Sequence, residues 1–429
     1  MLMNPVARER GRASVGAKPW LRQSIITTPV ASWFTLASMF VYLAKIGNLP
    51  GMGGLDLGKV LIGIAVLALL FEGGGWKEGV FGHPIMRAYV AMFVVAMLTI
   101  PVGVWPGGAA RYVFGEYFKI MVLAVLLIVT THTVKDLRRV MWVIIANTII
   151  LDVVLLHYTI HHITTIHLGK NGIAMTSVIA MGLLLGLPSR GMGTLAKWAA
   201  GAMLTYGIFM SVSRGSYIGV ALVLGLFAYF RYGNRVGVAI ASLVVFAVGI
   251  YALGPPVVHR TINTLIHINH DYNLTARTGR IAIWKRGLRI IAAHPLGVGM
   301  RNFPIAEGHL VENVVGERWM DAHNALLEAT AELGIVGGIV FLVLLKRAMQ
   351  AANRLRHRVS PDIAAVGLAL VLAMFGYFVT ASFLSKAYTA ILYILVAVII
   401  AADRIDRYAS TRDGDVIPKQ GAQTGRSDG

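Results

Sequence analysis

Long apolar runs are the feature that most constrains the fold of this chain. A helix needs about 20 predominantly apolar residues to cross the hydrocarbon core of a bilayer, and roughly twelve runs among the 429 residues approach that length. Hydrophobic residues make up 56% of the chain and charged residues only 14%. These proportions predict an all-α, polytopic membrane helix bundle with about 12 transmembrane helices. The runs lie at about 25–46, 58–74, 86–104, 115–132, 139–157, 172–188, 196–213, 216–231, 236–254, 332–348, 362–383 and 387–402.

Basic residues recur in every second connection between these runs. Lysine and arginine accumulate in the cytoplasmic loops of membrane proteins, so the pattern predicts that both chain termini are cytoplasmic. The basic groups are Arg8 to Arg22, Lys77 and Arg87, Lys135 to Arg139, Arg190 and Lys197, Arg231 and Arg235, Lys346 to Arg358, and Arg404 and Arg407.

The runs and their orientation predict five regions. A cytoplasmic tail (1–24) precedes nine transmembrane helices (25–254), and one large, partly helical external loop domain follows (255–322). Three further transmembrane helices (323–403) precede a cytoplasmic tail (404–429), which is predicted to be disordered because it is rich in Gly, Asp, Ser and Thr.

The external loop breaks the charge rule because it keeps many arginines. Arg277, Arg280 and Arg286 are candidate ligands of a pyrophosphate, since the planar guanidinium makes two parallel bonds to such groups. The alternative is a solvated basic face that touches lipid headgroups. An amphipathic helix is expected over Ile281 to Ile291, ended by His294-Pro295 and a turn at Gly297 and Gly299.

The net charge of +19 does not favour a nucleic acid partner. The basic residues are spread through short interhelical loops instead of forming one surface. Anionic lipid headgroups are the better partner.

Arg214 stands between two apolar runs in the segment Ser211 to Gly219. A charge at membrane depth is costly, and such residues often mark functional sites. Ser-Arg-Gly-Ser is also similar to a backbone anion nest. The alternative is that Arg214 only marks a hairpin between two helices.

His323 and Asn324 join the external loop to the next apolar run. An imidazole at this position could act as a general base, with Asp321 or Glu328 orienting the ring. The alternative is a hydrogen-bonded histidine at a helix cap. Asn324 is a plausible N-cap, and Gly334, Gly337 and Gly338 would permit close helix packing.

No metal site or cofactor is predicted. The chain has no cysteine, and the histidine cluster lacks an accompanying carboxylate and matches no standard spacing. Its members are His157, His161, His162 and His167.

Four motifs in this order resemble the O-antigen ligase and polymerase superfamily of bacterial surface-polysaccharide enzymes. They cover about residues 200 to 345, and the span count and single large loop extend the resemblance to the whole chain. The motifs are Ser213-Arg214-Gly215, Arg280 with Trp284, His294-Pro295-Leu296-Gly297-Val298-Gly299, and His323-Asn324 followed after nine residues by Gly334-Ile335-Val336-Gly337.

The resemblance implies a GT-C-like glycosyltransferase of the bacterial inner membrane with a periplasmic active site. The expected donor is a polysaccharide on undecaprenyl pyrophosphate, and the expected acceptor is a sugar hydroxyl of lipid A-core. His323, with Asn324 beside it, is then the catalytic base. Arg214 and Arg280 hold the pyrophosphate, with Arg277, Arg286 and Arg301 as further candidates. The reaction is expected to be inverting and independent of metal ions.

Three alternatives remain open from the sequence. A polysaccharide polymerase would use another carrier-linked repeat as acceptor, and an O-glycan protein ligase would use a protein. A transporter of an anionic lipid-linked solute belongs to a different class. It would be expected to carry ionisable residues near the bilayer midplane and symmetric halves.

Overall fold

The computed structural model describes residues 30–44, 57–72, 80–160, 169–188, 192–211, 213–233, 237, 279–310 and 319–414. Within these ranges the chain forms thirteen helices and no strand. They are α1 Val30–Leu43, α2 Leu57–Phe71, α3 Pro84–Leu98, α4 Pro106–Thr130, α5 Val134–Ile160, α6 Lys170–Gly186, α7 Met192–Met210, α8 Arg214–Tyr232, α9 Arg280–Ala293, α10 Phe303–Leu310, α11 Ala325–Arg356, α12 Pro361–Ala381 and α13 Ala390–Gly414.

Eleven of the twelve predicted runs coincide with helices, and the twelfth, 236–254, lies outside the described residues except for residue 237. By length and composition, five of the helices (α4, α5, α8, α11 and α12) are long and apolar enough to cross a membrane. The described part of the chain is therefore all-helical, and its apolar helices indicate a multi-pass membrane protein. Its last helix continues to Gly414, past residue 404, where the predicted disordered tail begins.

Helices α3 to α8 and α11 to α13 run between two ends of the bundle. At one end, the backbone N–H of Val104, after α3, donates to the Val298 carbonyl (2.9 Å), and His323 lies directly before the start of α11. At the other end, His83 before α3 meets Asp403 of α13 (2.9 Å). We call these the site end and the basic end. The described basic loops, which the sequence places on one side of the membrane, lie at the basic end.

Ion pairs join the helices at the basic end. The carboxylate of Asp403 is buried and contacts His83, Arg407 (2.8 Å) and Arg354 (3.5 Å). Because these side chains come from three parts of the chain, Asp403 ties the start of α3 to the ends of α11 and α13. Arg358 with Asp406 and Arg138 with Asp362 add two further pairs, each at 2.6 Å.

Small residues bring α6 and α12 into close contact. Gly182 and Gly186 are four residues apart on α6 and face Ala373 and Ala369 of α12. A Cβ atom at Gly182 would lie 2.6 Å from the backbone nitrogen of Ala373. Membrane helices use such small residues to approach closely, because lipid gives no hydrophobic driving force for their association.

Helix α11 is broken at Gly334, and an external loop fills the break. Gly334 has φ 73° and ψ 179°, which interrupts the helical hydrogen bonds. The loop after α9 replaces them: Val298 N–H donates to the Ala331 carbonyl (3.0 Å) and Gly299 N–H to the Glu332 carbonyl (2.9 Å). The break is therefore satisfied by backbone, as membrane-embedded structure requires.

Gly334 is predicted to be intolerant of a side chain. In Gly334→Ala the Cβ would meet the Pro295 carbonyl at 2.6 Å in a left-handed conformation, so the free energy of unfolding should fall by about 1–3 kcal/mol or more. Gly225→Ala is the matched control, since a Cβ at Gly225 of α8 meets nothing within 4 Å. Thermal unfolding in detergent measures both variants. Equal stability of the two would contradict this account of the break.

Candidate active site at the site end

His323 lies at the site end in an uncommon backbone conformation. Its φ is 50°, and Arg301 (64°) is the only other non-glycine residue with positive φ in the described chain. The His323 N–H donates to Ser385 Oγ at 2.8 Å. Left-handed conformations of non-glycine residues cost energy and are concentrated at functional sites, so this geometry is consistent with a functional role.

Asn324 caps α11, as the sequence predicts. Its Oδ1 accepts from the N–H groups of Leu326 and Leu327, both at 3.0 Å, and its amide donates to the Ser382 carbonyl at 3.2 Å. The cap fixes the start of α11 and therefore the position of His323 beside it.

The half-buried imidazole of His323 lies near two opposite charges. Burial lowers the pKa of His323 below its ordinary value, the guanidinium of Arg280 lowers it further, and Asp321 acts in the opposite direction. The ring is therefore neutral at pH 7, which is the form that accepts a proton.

The acidic limb of the pH profile should respond oppositely to the two charges. Activity that needs neutral His323 rises with pH through the lowered pKa. Arg280→Gln removes a cation that disfavours the imidazolium, so the pKa rises and the limb moves to higher pH. Asp321→Asn removes an anion that favours the imidazolium, so the pKa of His323 falls and the acidic limb moves to lower pH. The measurement is kcat against pH at saturating donor, and shifts of the same sign would contradict this arrangement.

Arg280 begins α9 and lies over an aromatic ring. Its guanidinium carbon is 5.8 Å from the ring centroid of Phe383. The two residues are about one hundred positions apart, so the sequence does not indicate this contact. Gly279, the N-cap residue of α9, has no side chain that could cap the helix. The positive end of α9 and the Arg280 charge therefore lie at the same point, and both would favour an anion there.

Arg214 begins α8 and is half-buried. The next residue, Gly215, lies against the ring of Phe383, since a Cβ at Gly215 would be 3.1 Å from a ring carbon. Gly215 is helical, so the predicted backbone nest is wrong, and a helix N-terminus takes its place. The N-terminal ends of α8 and α9, each with an arginine as first residue, thus meet at Phe383.

Arg286 has a different environment. Its guanidinium binds one oxygen of the buried Glu307 carboxylate through Nε (2.7 Å) and Nη2 (2.6 Å). The other oxygen of Glu307 accepts from Met320 N–H at 3.1 Å. These bonds join α9, α10 and the segment before His323, so the geometry favours a structural role over the predicted pyrophosphate contact.

Arg301 lies in the loop that fills the break in α11. Its guanidinium carbon is 5.5 Å from the ring centroid of Tyr112. The backbone N–H of Arg301 donates to the buried Glu332 carboxylate (2.7 Å). The same carboxylate accepts from the backbone N–H of Phe303 (3.0 Å) at the start of α10. The exposed guanidinium is therefore placed by a rigid turn, although no described contact links it to Arg280 or His323.

The remaining candidates divide into residues that are placed elsewhere and residues that are not described. Glu328, one predicted partner of the ring, instead accepts from Ala387 N–H at 2.9 Å. Arg277, His161, His162 and His167 lie outside the described residues. Among the described residues, no group of three His, Cys, Asp or Glu is arranged to hold a metal ion.

Two residues of the site carry no signal in the sequence. Phe383 and Ser385 occupy the turn after α12, about sixty residues beyond His323, in a stretch that reads as an ordinary membrane-span end. Only the folded bundle brings this turn against Arg280 and His323.

Comparison with known proteins gives one assignment. Residues 199–342 match the family model described as O-Antigen ligase. The match includes Arg214, Arg280 and His323 and covers about a third of the chain. No curated protein matches the sequence. Over this segment, which supplies the arginines and the histidine of the site end, the chain is similar to the O-antigen ligase family.

Proposed function

We propose that this protein is an O-antigen ligase that transfers a polysaccharide from undecaprenyl pyrophosphate to a sugar hydroxyl of lipid A-core. The family implies ligase or polymerase activity of a membrane glycosyltransferase. The observation that carries the finer proposal is the juxtaposition of a half-buried neutral histidine and two arginine-bearing helix N-termini at one end of the bundle. No metal ion or other cofactor is assigned.

His323 is the base in this proposal. The imidazole takes the proton of the acceptor hydroxyl as its oxygen attacks the anomeric carbon of the donor. The bond between that carbon and the pyrophosphate oxygen breaks on the opposite face, which inverts the configuration. A single displacement suits a site with one base and no second nucleophile. Asn324 serves by fixing the start of α11.

Arg214 and Arg280 hold the departing pyrophosphate. Guanidinium groups stabilise negative charge as it develops on the leaving group, and the N-termini of α8 and α9 add favourable dipoles. Arg301 and Arg277 remain candidates for the same anion, whereas Arg286 is assigned to the ion pair with Glu307.

The membrane placement is part of the proposal. The site end faces the periplasm, the basic end and both termini face the cytoplasm, and the membrane is the bacterial inner membrane. In this orientation the described basic loops follow the positive-inside rule. Residues 255–322 form the periplasmic loop domain between transmembrane segments 25–254 and 323–403, while 1–24 and 404–429 are the cytoplasmic tails.

Rescue of a ligase-deletion strain tests the proposed activity. Expression of the wild-type chain should restore long-chain lipopolysaccharide, and His323→Asn should not restore it. Restored chain length on the lipid carrier without glycan on lipid A-core would favour a polymerase instead. Glycan on protein would favour an O-glycan ligase, and an accumulating lipid-linked solute would favour a transporter.

A further inference from the structure

The turn between α12 and α13 touches both halves of the proposed site. We call residues Ser382 to Thr389 the α12–α13 loop. It lies outside the segment that matches the O-antigen ligase family, which ends at residue 342. Nevertheless, its residues contact Arg280, the helix that Arg214 begins, and His323.

Buried side chains hold the backbone of the α12–α13 loop. Tyr377 donates to the Lys386 carbonyl (3.0 Å), and Tyr393 donates to the Ala387 carbonyl (3.2 Å). Glu328 of α11 accepts from Ala387 N–H at 2.9 Å. All three side chains are at most 3% exposed. The loop is therefore fixed to α11, α12 and α13 and is a rigid base for what it contacts.

Ser385 is the contact of this loop with the base. Its Oγ accepts the His323 N–H at 2.8 Å, directly at the left-handed residue. An N–H that loses its acceptor where water cannot replace it is destabilising. Without Ser385 Oγ, little in the local sequence would hold His323 at positive φ, and its ring would lose its fixed direction.

Phe383 is the contact of the same loop with the arginines. Its ring lies 5.8 Å from the Arg280 guanidinium carbon and touches Gly215 beside Arg214. A guanidinium over an aromatic face is attracted to the ring, and the attraction is stronger when the pair is desolvated. The ring therefore orients Arg280 and also packs against the start of α8.

We propose that Ser385 and Phe383 are positioning residues of this enzyme: Ser385 fixes the base His323, and Phe383 fixes the pyrophosphate-binding arginines. The proposal rests on the ligase function proposed above. Because one short rigid loop holds both groups, the distance between the acceptor base and the donor pyrophosphate is set by α12 and α13, which themselves carry no reacting group.

The two halves of the proposal separate in kinetics. Ser385→Ala should lower kcat about 10- to 100-fold with the donor KM little changed, because a misplaced base loses rate and not binding. Ser385→Thr keeps the acceptor oxygen and should restore most of the rate. Ser382→Ala is the matched control, since Ser382 Oγ bonds the Phe378 carbonyl of α12 (2.9 Å), and the Ser382 carbonyl that accepts from Asn324 is kept in this variant.

Phe383→Leu should raise the donor KM several-fold and lower kcat less, while Phe383→Tyr should retain wild-type values. A purely structural role of the loop would instead lower the melting temperature of Ser385→Ala and Phe383→Leu together and change both kinetic constants alike. That result, or unchanged kinetics in both variants, would overturn the proposal.

A binding measurement separates this proposal from the ligase function. Undecaprenyl pyrophosphate should raise the melting temperature of the wild-type protein and of Ser385→Ala, but raise that of Phe383→Leu much less. If the three proteins show these shifts but the wild type transfers no glycan to lipid A-core, the ligase function fails and the positioning by Phe383 stands. If the wild type transfers but the variants match it throughout, the positioning proposal fails alone.

Discussion

Replacing His323 with asparagine is expected to lower the rate of glycan transfer by about 10²- to 10⁴-fold, the usual contribution of a general base. The carboxamide has no basic nitrogen that could take the acceptor proton. Asparagine is chosen because it tolerates positive φ better than most residues, and φ at position 323 is 50°. The backbone bond to Ser385 Oγ should survive, so that folding and donor binding are retained.

His309→Asn is the matched control for this variant. His309 is an exposed histidine of α10, and no described hydrogen bond or ion pair joins its side chain to His323. The measurement is initial transfer rate together with the melting temperature of each variant. Full activity in His323→Asn would refute the base assignment, and loss of folding would show that position 323 is structural instead.

Arg214→Ala and Arg280→Ala are expected to impair use of the lipid-linked donor, each lowering kcat/KM by about 10²-fold or more. Charge-assisted bonds from guanidinium are worth about 1.5–3 kcal/mol each. Lysine at either position should rescue poorly, because a point charge lacks the planar fork that binds two phosphate oxygens. For Arg280 the lysine also loses part of the stacking on Phe383.

Arg289→Ala is the control for charge alone. Arg289 lies on the same helix α9 but on its exposed face. Its replacement changes the net charge by the same amount as Arg280→Ala and leaves the residues of the site unchanged. Donor kinetics of the three alanine variants and the two single lysine variants give the comparison. Wild-type kcat/KM in a protein with lysine at both 214 and 280 would count against a pyrophosphate clamp.

Local patterns in the sequence predict much of this structure. The apolar runs predict eleven described helices, and the spacing of Ile281 to Ile291 predicts α9, which ends at Ala293 directly before His294-Pro295. The Asn324 cap is confirmed as well. These features depend on residues within a few positions of one another, where helix periodicity and capping chemistry act.

Features that depend on distant contacts are not visible in the sequence. Gly334 reads as a packing glycine, yet it breaks α11 because the Pro295–Gly299 loop supplies the missing hydrogen bonds. Arg286 resembles Arg280 in sequence, but folding places Glu307 beside Arg286 and Phe383 beside Arg280. Which arginine faces a ligand is decided by such neighbours and not by its spacing along α9.

Transfer by the purified protein in liposomes tests the central claim most directly. The reaction contains an undecaprenyl-pyrophosphate-linked polysaccharide, lipid A-core and EDTA, and its product is followed as glycan attached to lipid A-core. The account predicts product with the wild-type protein and His309→Asn, and a loss of about 10²-fold or more with His323→Asn. Equal product from His323→Asn, or wild-type product that forms only on the carrier, would contradict it.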